Sequence, residues 1–197
     1  MKGDTRPRRN MVDVNVRDRV GSEQRFRSLY LDHYRQVYMY FRRRTDIECA
    51  RDGTADTFLV AWRRLDDVPG GDRALPWLYG TARRVLANQW RGRRRSDQLR
   101  EKLAGFGADP EPGPEARVVP SGEIQLVLDA LGRLSKADRE IIRLAEWEEL
   151  THREIALVLG CSAHAVDQRL YRARRRLAKE LGIETAAGRA TARGGVW

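Results

Sequence analysis

The side chains with the most chemistry to offer lie between Ser162 and Leu177. His164, Asp167, Gln168, Arg169, Tyr171, Arg172 and Arg175 recur there at helical steps, and no acid occurs between Gln168 and Lys179. At 3.6 residues per turn they occupy the faces left free by an apolar stripe of Val166, Leu170, Ala173 and Leu177. A guanidinium fork matches phosphate oxygens and the O6/N7 edge of guanine, and a glutamine amide matches adenine. A second group of this kind stands far upstream. Arg84, Asn88, Arg91 and Arg95 share one helical face, and Arg83, Arg93 and Arg94 widen it. Like charges this dense repel along a helix. A compensating anion therefore explains them better than a merely solvated surface.

Residues suited to covalent or metal chemistry are poorer. Asp52 and Asp56 lie four apart near Arg51. A carboxylate pair can move protons, but no His or Cys cluster accompanies this one, which favours a solvated or partner-facing surface. Cys161 and His164 make a CxxH pair, and two ligands do not make a zinc site. Gly70 and Gly71 sit in DDVPGGDRA, where no Gly-Lys-Ser/Thr follows to complete a phosphate loop. No catalytic residue, metal or cofactor is expected.

Helices must position the two basic groups. Thr151 with Glu154 forms a capping-box pattern, and Ile155, Ala156 and Leu159 give a short helix one apolar face. Gly160 stands where a helix end needs a left-handed residue, and Ser162 offers the next N-cap. A short helix, a glycine turn and a longer basic helix make a helix-turn-helix, whose second helix can enter a major groove. Just before it, Ser135 with Asp138 starts a helix bearing Ile141, Ile142, Leu144 and Ala145, with Glu146, Glu148 and Glu149 on an expected exposed acidic side.

Upstream, Phe26, Leu29, Tyr30, His33, Tyr34, Val37, Tyr38 and Phe41 mark a first helix from Ser22, and the stripe reads as core. Thr45 with Glu48 predicts a capped second helix, its inner face Ile47, Ala50, Thr54, Phe58, Ala61, Trp62 and Leu65. A third helix is expected from Leu75 to Arg95, with Pro76 in its first turn. No stretch alternates as a strand would, so the expected fold is all-α: two small helical domains and a linker.

The expected boundaries are a disordered basic tail (1–21), a helical domain (22–98), a flexible Pro/Gly/acid-rich linker (99–122), a helix-turn-helix domain (123–182) and a disordered tail (183–197). The 197 residues carry a formal charge of +10, and the sequence pI is about 10.3. The excess is bunched and almost wholly arginine, which favours a polyanionic partner. Two distant cysteines fit a reducing compartment, and no run reaches the length of a membrane span. A cytoplasmic protein without membrane insertion is expected.

DGTADTFLVAW (52–62), LPWLYGTARRVLANQWRGRRR (75–95), REIIRL (139–144) and EIALVLGCSAHAVDQRLYRARRRL (154–177) occur in this order. Together they resemble a bacterial sigma factor of the extracytoplasmic-function (ECF) group of the sigma-70 family. The resemblance covers residues 22–98 and 123–181. It implies that Asp52, Asp56, Phe58, Leu59 and Trp62 meet the clamp of core RNA polymerase, and that Arg83, Arg84, Asn88, Arg91, Arg94 and Arg95 hold the minus-ten promoter element. The loop with Asp66, Asp67, Gly70, Gly71 and Asp72 would match the specificity loop that captures a flipped base. His164, Asp167, Gln168, Arg169, Tyr171, Arg172 and Arg175 would read the minus-thirty-five element. Ala55 replaces a usual Gln, and Asp167 replaces a usual basic residue. Core polymerase and promoter DNA are the implied partners, with no small-molecule substrate; the family often has an anti-sigma protein as well.

Two other readings of the residues stay open at this point. One is a dimeric two-domain regulator that binds a palindromic operator without polymerase. The other is a nucleic-acid enzyme, whose metal carboxylates could only be Asp52 and Asp56.

Overall fold

The computed structural model describes residues 11–104 and 122–183. Among the described residues the regular structure is helical: α1 (Met11–Arg42), α2 (Ile47–Arg63), α3 (Ala74–Ala104), α4 (Gly122–Arg133), α5 (Lys136–Glu146), α6 (His152–Leu159) and α7 (Ala163–Glu180). Two 3-10 turns, Leu65–Asp67 and Gly71–Arg73, join α2 to α3.

Helices α1, α2 and α3 pack around Leu29, Val37, Phe41, Ala50, Phe58, Ala61, Leu78, Ala82 and Leu86, all buried. Gly53 is obligatory in this core, because a Cβ there would overlap the Phe41 ring. The hydroxyls of Thr54 and Thr57 are buried but satisfied, donating to the carbonyls of Ala50 and Gly53 at 2.7 Å. Helices α4 to α7 enclose Leu131, Ile141, Ile142, Leu144, Ile155, Val158, Val166 and Leu170. Here the local signals act as expected. Ser135 caps α5, Thr151 and Glu154 close a capping box on α6, Gly160 ends α6 at φ 66°, and Ser162 caps α7.

Several boundaries and faces differ from expectation. Helix α1 begins at Met11 rather than Ser22, and α3 runs to Ala104 rather than Arg95. Once packing has nucleated a helix, each further residue adds a hydrogen bond at little cost, so a helix can outrun its apolar stripe. The remaining parts of the expected tails and linker, residues 1–10, 105–121 and 184–197, lie outside the described residues. Helix α2 is capped by Asp46, whose carboxylate accepts from the Cys49 N–H at 2.8 Å. Thr45 is instead buried in the turn that closes α1, its N–H donating to the Phe41 carbonyl. The Cys49 N–H bond holds the Asp46 carboxyl below the usual carboxylate range, with help from Arg93.

The two helical units pack directly on each other. Arg44, in the turn after α1, donates to Glu140 of α5 at 3.0 Å and to Glu148 at 2.8 Å. The side chains of Arg44 and Glu148 are each 1% exposed. Arg43 reaches Glu148 at 2.6 Å, the Tyr40 hydroxyl donates to Glu140 at 3.0 Å, and the Arg44 guanidinium lies 3.6 Å from the Tyr40 ring centre. Burial works against the Arg44 charge, but the two carboxylates outweigh it and hold its pKa above the ordinary arginine range. Burial also pushes the Tyr40 and Tyr79 phenols up. Glu148 is therefore a buried ion-pair partner, not the exposed acid expected from its neighbours. A second seam lies where α6 crosses α3, with Gly80 against the Val158 backbone.

Candidate nucleic-acid interface

Helix α7 buries Val166, Leu170 and Ala173 and turns the opposite face outward. At 100° per residue His164, Gln168, Tyr171, Arg172 and Arg175 cluster on that outer face, and all are exposed. Neighbours hold several of them in place. Gln168 and His164 approach at 3.1 Å through side-chain nitrogens, the Arg172 Nε donates to the Gln168 carbonyl at 3.1 Å, and Arg175 lies 5.8 Å from the Tyr171 ring centre. Asp167 and Arg169 lie on opposite flanks. Asp167 contacts His152 at the start of α6, so this carboxylate already has a partner.

Two other arginines of α7 are engaged within the unit. Arg174 pairs with Glu146 at 2.6 Å, and Arg176 with Asp138 at 2.6 Å. These pairs are 28 and 38 residues apart, and no local spacing signals them. They sort the arginines: Arg169, Arg172 and Arg175 make no ion pair among the described residues and remain available to phosphate.

On α3 the exposed basic face is as expected. Arg83, Arg84, Asn88, Arg91, Arg94 and Arg95 are all exposed. Arg91 contacts the Asn88 side chain, which orients both along the helix. Arg93 turns the other way, pairing with Asp46 at 3.0 Å and touching Cys49. Arg83, Arg84, Arg94 and Arg95 meet no carboxylate among the described residues. Traced toward the N-terminus, the Arg84/Asn88/Arg91 face continues through Trp77 and Thr81 and runs beneath α6; Thr81 is only 3% exposed.

The loop between α2 and α3 rims a cleft of about 560 Å³, lined by Arg25, His33, Val68, Gly70, Gly71 and Asp72 among others. Arg25 pins the loop by donating to the Val68 carbonyl at 2.6 Å. Asp66, Asp67, Gly70, Gly71 and Asp72 are exposed, and Gly71 needs its freedom, standing at φ 60°. Burial lowers the pKa of His33, whose Nδ1 is buried without a hydrogen bond. Glu154 of α6 closes one side of the cleft. The contributions of Arg25 and Glu154 come from contacts remote in sequence and were not legible in it.

The patch on α2 divides. Asp52 and Asp56 are exposed, as are Leu59 (45%) and Trp62 (42%). Phe58 is 3% exposed and packs beneath the rings of Tyr30 and Phe26, so it supports the patch rather than forming it. Trp62 and Ile47, expected on the inner face, are both exposed. The α1 stripe splits likewise. Leu29, Val37 and Phe41 enter the core with Tyr40, which the stripe omitted, while Tyr30 and Tyr34 remain 38% exposed in an aromatic ladder with Phe26 and Trp62. The described residues contain no group of three or more His, Cys, Asp or Glu side chains able to hold a metal, and no helix long and apolar enough to cross a membrane.

Comparison with known proteins covers both units. Residues 124–177 match the family described as Sigma-70, region 4. The RNA polymerase sigma factor NccH of Alcaligenes xylosoxydans xylosoxydans is 40% identical over 135 residues, spanning 64% of this chain and 69% of its own. The ECF RNA polymerase sigma factor SigL of Mycobacterium tuberculosis is 30% identical over 166 residues, spanning 80% and 90%. The RNA polymerase sigma factor CnrH of Cupriavidus metallidurans is 34% identical over 148 residues, spanning 72% and 76%. A solved structure of CnrH with the cytosolic domain of CnrY aligns with a TM-score of 0.58 at 26% identity, covering 85% of this chain and 99% of that one.

Proposed function

This chain belongs to the ECF group of the sigma-70 family of RNA polymerase sigma factors, and from that premise we propose how its surfaces divide the work of transcription initiation. The protein binds core RNA polymerase, recognises the minus-ten and minus-thirty-five promoter elements and starts transcription of a specific set of genes. It is an initiation factor and not an enzyme. Its place is the cytoplasm, with the polymerase it serves.

One observation carries the assignment of surfaces. Each helical unit presents an exposed arginine-rich helix face, α3 in one and α7 in the other, on a chain related to sigma factors across both units. Asp52, Asp56, Leu59 and Trp62 form the polymerase-facing patch, resting on Phe58. Arg83, Arg84, Asn88, Arg91, Arg94 and Arg95 hold the downstream element. The cleft beside Asp66, Asp67, Gly70, Gly71 and Asp72 receives a base turned out of the stack, where protein contacts must recover a few kcal/mol of unstacking. His164, Gln168, Tyr171, Arg172 and Arg175 face the upstream element, flanked by Asp167 and Arg169. Phosphate contacts supply affinity and its salt dependence, and the few base-edge contacts supply choice. The domains divide at the segment between α3 and α4. A further partner is an anti-sigma protein, which the family often has; the related CnrH is solved in complex with the cytosolic domain of CnrY.

The test is run-off transcription with purified core polymerase on genomic DNA from the source organism. Discrete start sites that depend on the added protein support the assignment. Tight operator binding by the protein alone, with no new start sites, supports a conventional regulator instead.

A further inference from the structure

Gln168 is the one amide on the outer face of α7, and its value as a reader depends on which way that amide points. A glutamine recognises adenine by donating to N7 while accepting from the N6 amino group, so it must present one N–H and its Oε1 together. Nothing within the amide group itself fixes that orientation. His164, one helical turn earlier, is placed to set it: its Nε2 lies 3.1 Å from the Gln168 Nε2. In this arrangement the amide nitrogen donates and the ring nitrogen accepts, which calls for the His164 tautomer with its proton on Nδ1. One amide hydrogen is used by the ring. The second hydrogen and Oε1 are left, and Oε1 has no hydrogen bond among the described residues. That remaining pair is the donor–acceptor edge that adenine requires. Arg172, held to the Gln168 carbonyl at 3.1 Å, flanks the amide on the next turn.

We propose that His164 is a specificity-determining residue of this sigma factor: it fixes the Gln168 amide so that Gln168 selects adenine in the upstream promoter element. The inference rests on the assignment of α7 as the reader of that element. His164 acts here through Gln168 and is a positioning residue. A donor-only side chain at 164 reverses the arrangement. It draws Oε1 toward itself and leaves only N–H groups facing the groove, which suits the O6 and N7 acceptors of guanine.

The experiment uses the full chain with core polymerase and templates randomised across the upstream element, with transcripts sequenced to give base preferences. For the native protein one position should favour adenine over guanine by about 5- to 100-fold, as a bidentate pair does. Gln168→Ala should abolish that preference. His164→Ala should reduce it several-fold at the same position while leaving the other positions and the melting temperature unchanged. His164→Asn should restore it, because an i,i+4 Asn–Gln hydrogen bond is also available. His164→Lys should move the preference toward guanine. If Gln168→Ala abolishes the preference and both His164→Ala and His164→Lys retain adenine, the positioning role is overturned while the reader assignment stands. If Gln168→Ala changes no position, the reader assignment fails and the inference with it.

Discussion

Replacing Arg44 tests whether the two units must separate to work. In the packed arrangement α3 contacts α6 and α6 contacts α7. Helices in contact lie about 8–10 Å apart, so at this seam α3 and α7 are separated by little more than the width of α6. The proposed division of two promoter elements between α3 and α7 predicts that the units part when both elements are engaged. Arg44 is the centre of what holds them, contacting both Glu140 and Glu148 from the other unit. Arg44→Ala in the packed state strands Glu148, whose side chain is 1% exposed, with Arg43 as its remaining ion-pair partner. Leaving a buried charge wholly unpaired costs about 3–5 kcal/mol, and because Arg43 still meets Glu148 the cost here lies at or below the low end of that range. Parting the units returns both carboxylates to water and relieves that cost, so the equilibrium should shift toward the open form by about ten- to a hundred-fold.

The chain supplies its own probe sites, since Cys49 lies in the first unit and Cys161 in the second, both partly accessible. Spin labels on these two cysteines report the separation of the units directly. The native protein should give one short distance that lengthens when core polymerase is added. Arg44→Ala should give the long distances without polymerase and keep the helix content of both units. An unchanged short distance in Arg44→Ala would refute the reasoning, whether or not the melting temperature falls, because the ion pairs would then not be what holds the units together.

Phe58→Ala should destabilise the first unit by about 3–5 kcal/mol, as loss of a buried aromatic does, whereas Trp62→Ala should leave the melting temperature nearly unchanged and weaken binding to core polymerase; thermal melts and a pull-down separate the two. Gly160→Ala should cost about 1–2 kcal/mol of stability in the second unit, read by chemical denaturation, because φ 66° strains any residue with a Cβ. Burial favours the neutral form of His33, so the unfolded chain binds the extra proton more readily. Stability from this group is present above the ordinary histidine range and should decline as pH falls through it. Melting of the native protein between pH 7.5 and 5.5 should show that decline, and His33→Gln should flatten it.

The sequence by itself determined the helices, the helix-turn-helix and most exposed basic residues. Those features rest on contacts three or four residues apart: the box of Thr151 and Glu154, the left-handed Gly160, the cap at Ser162, and the stripe of Val166, Leu170 and Ala173. Propensity, capping and periodicity are local, so they can be read without knowing the neighbours. The tertiary structure alone decided which side of each stripe is covered. Phe26, Tyr30, Tyr34 and Phe41 share one rhythm on α1, yet only Phe41 is fully enclosed. Trp62 follows the period of the α2 core and still faces outward. The structure also decided which charges are internal. Arg44 finds Glu148 across 104 residues, and Arg174 finds Glu146 across 28. A charge pattern gives the face on which an arginine stands. Whether a carboxylate from another helix arrives to meet it depends on the angle and register of docking, which no spacing within one helix encodes.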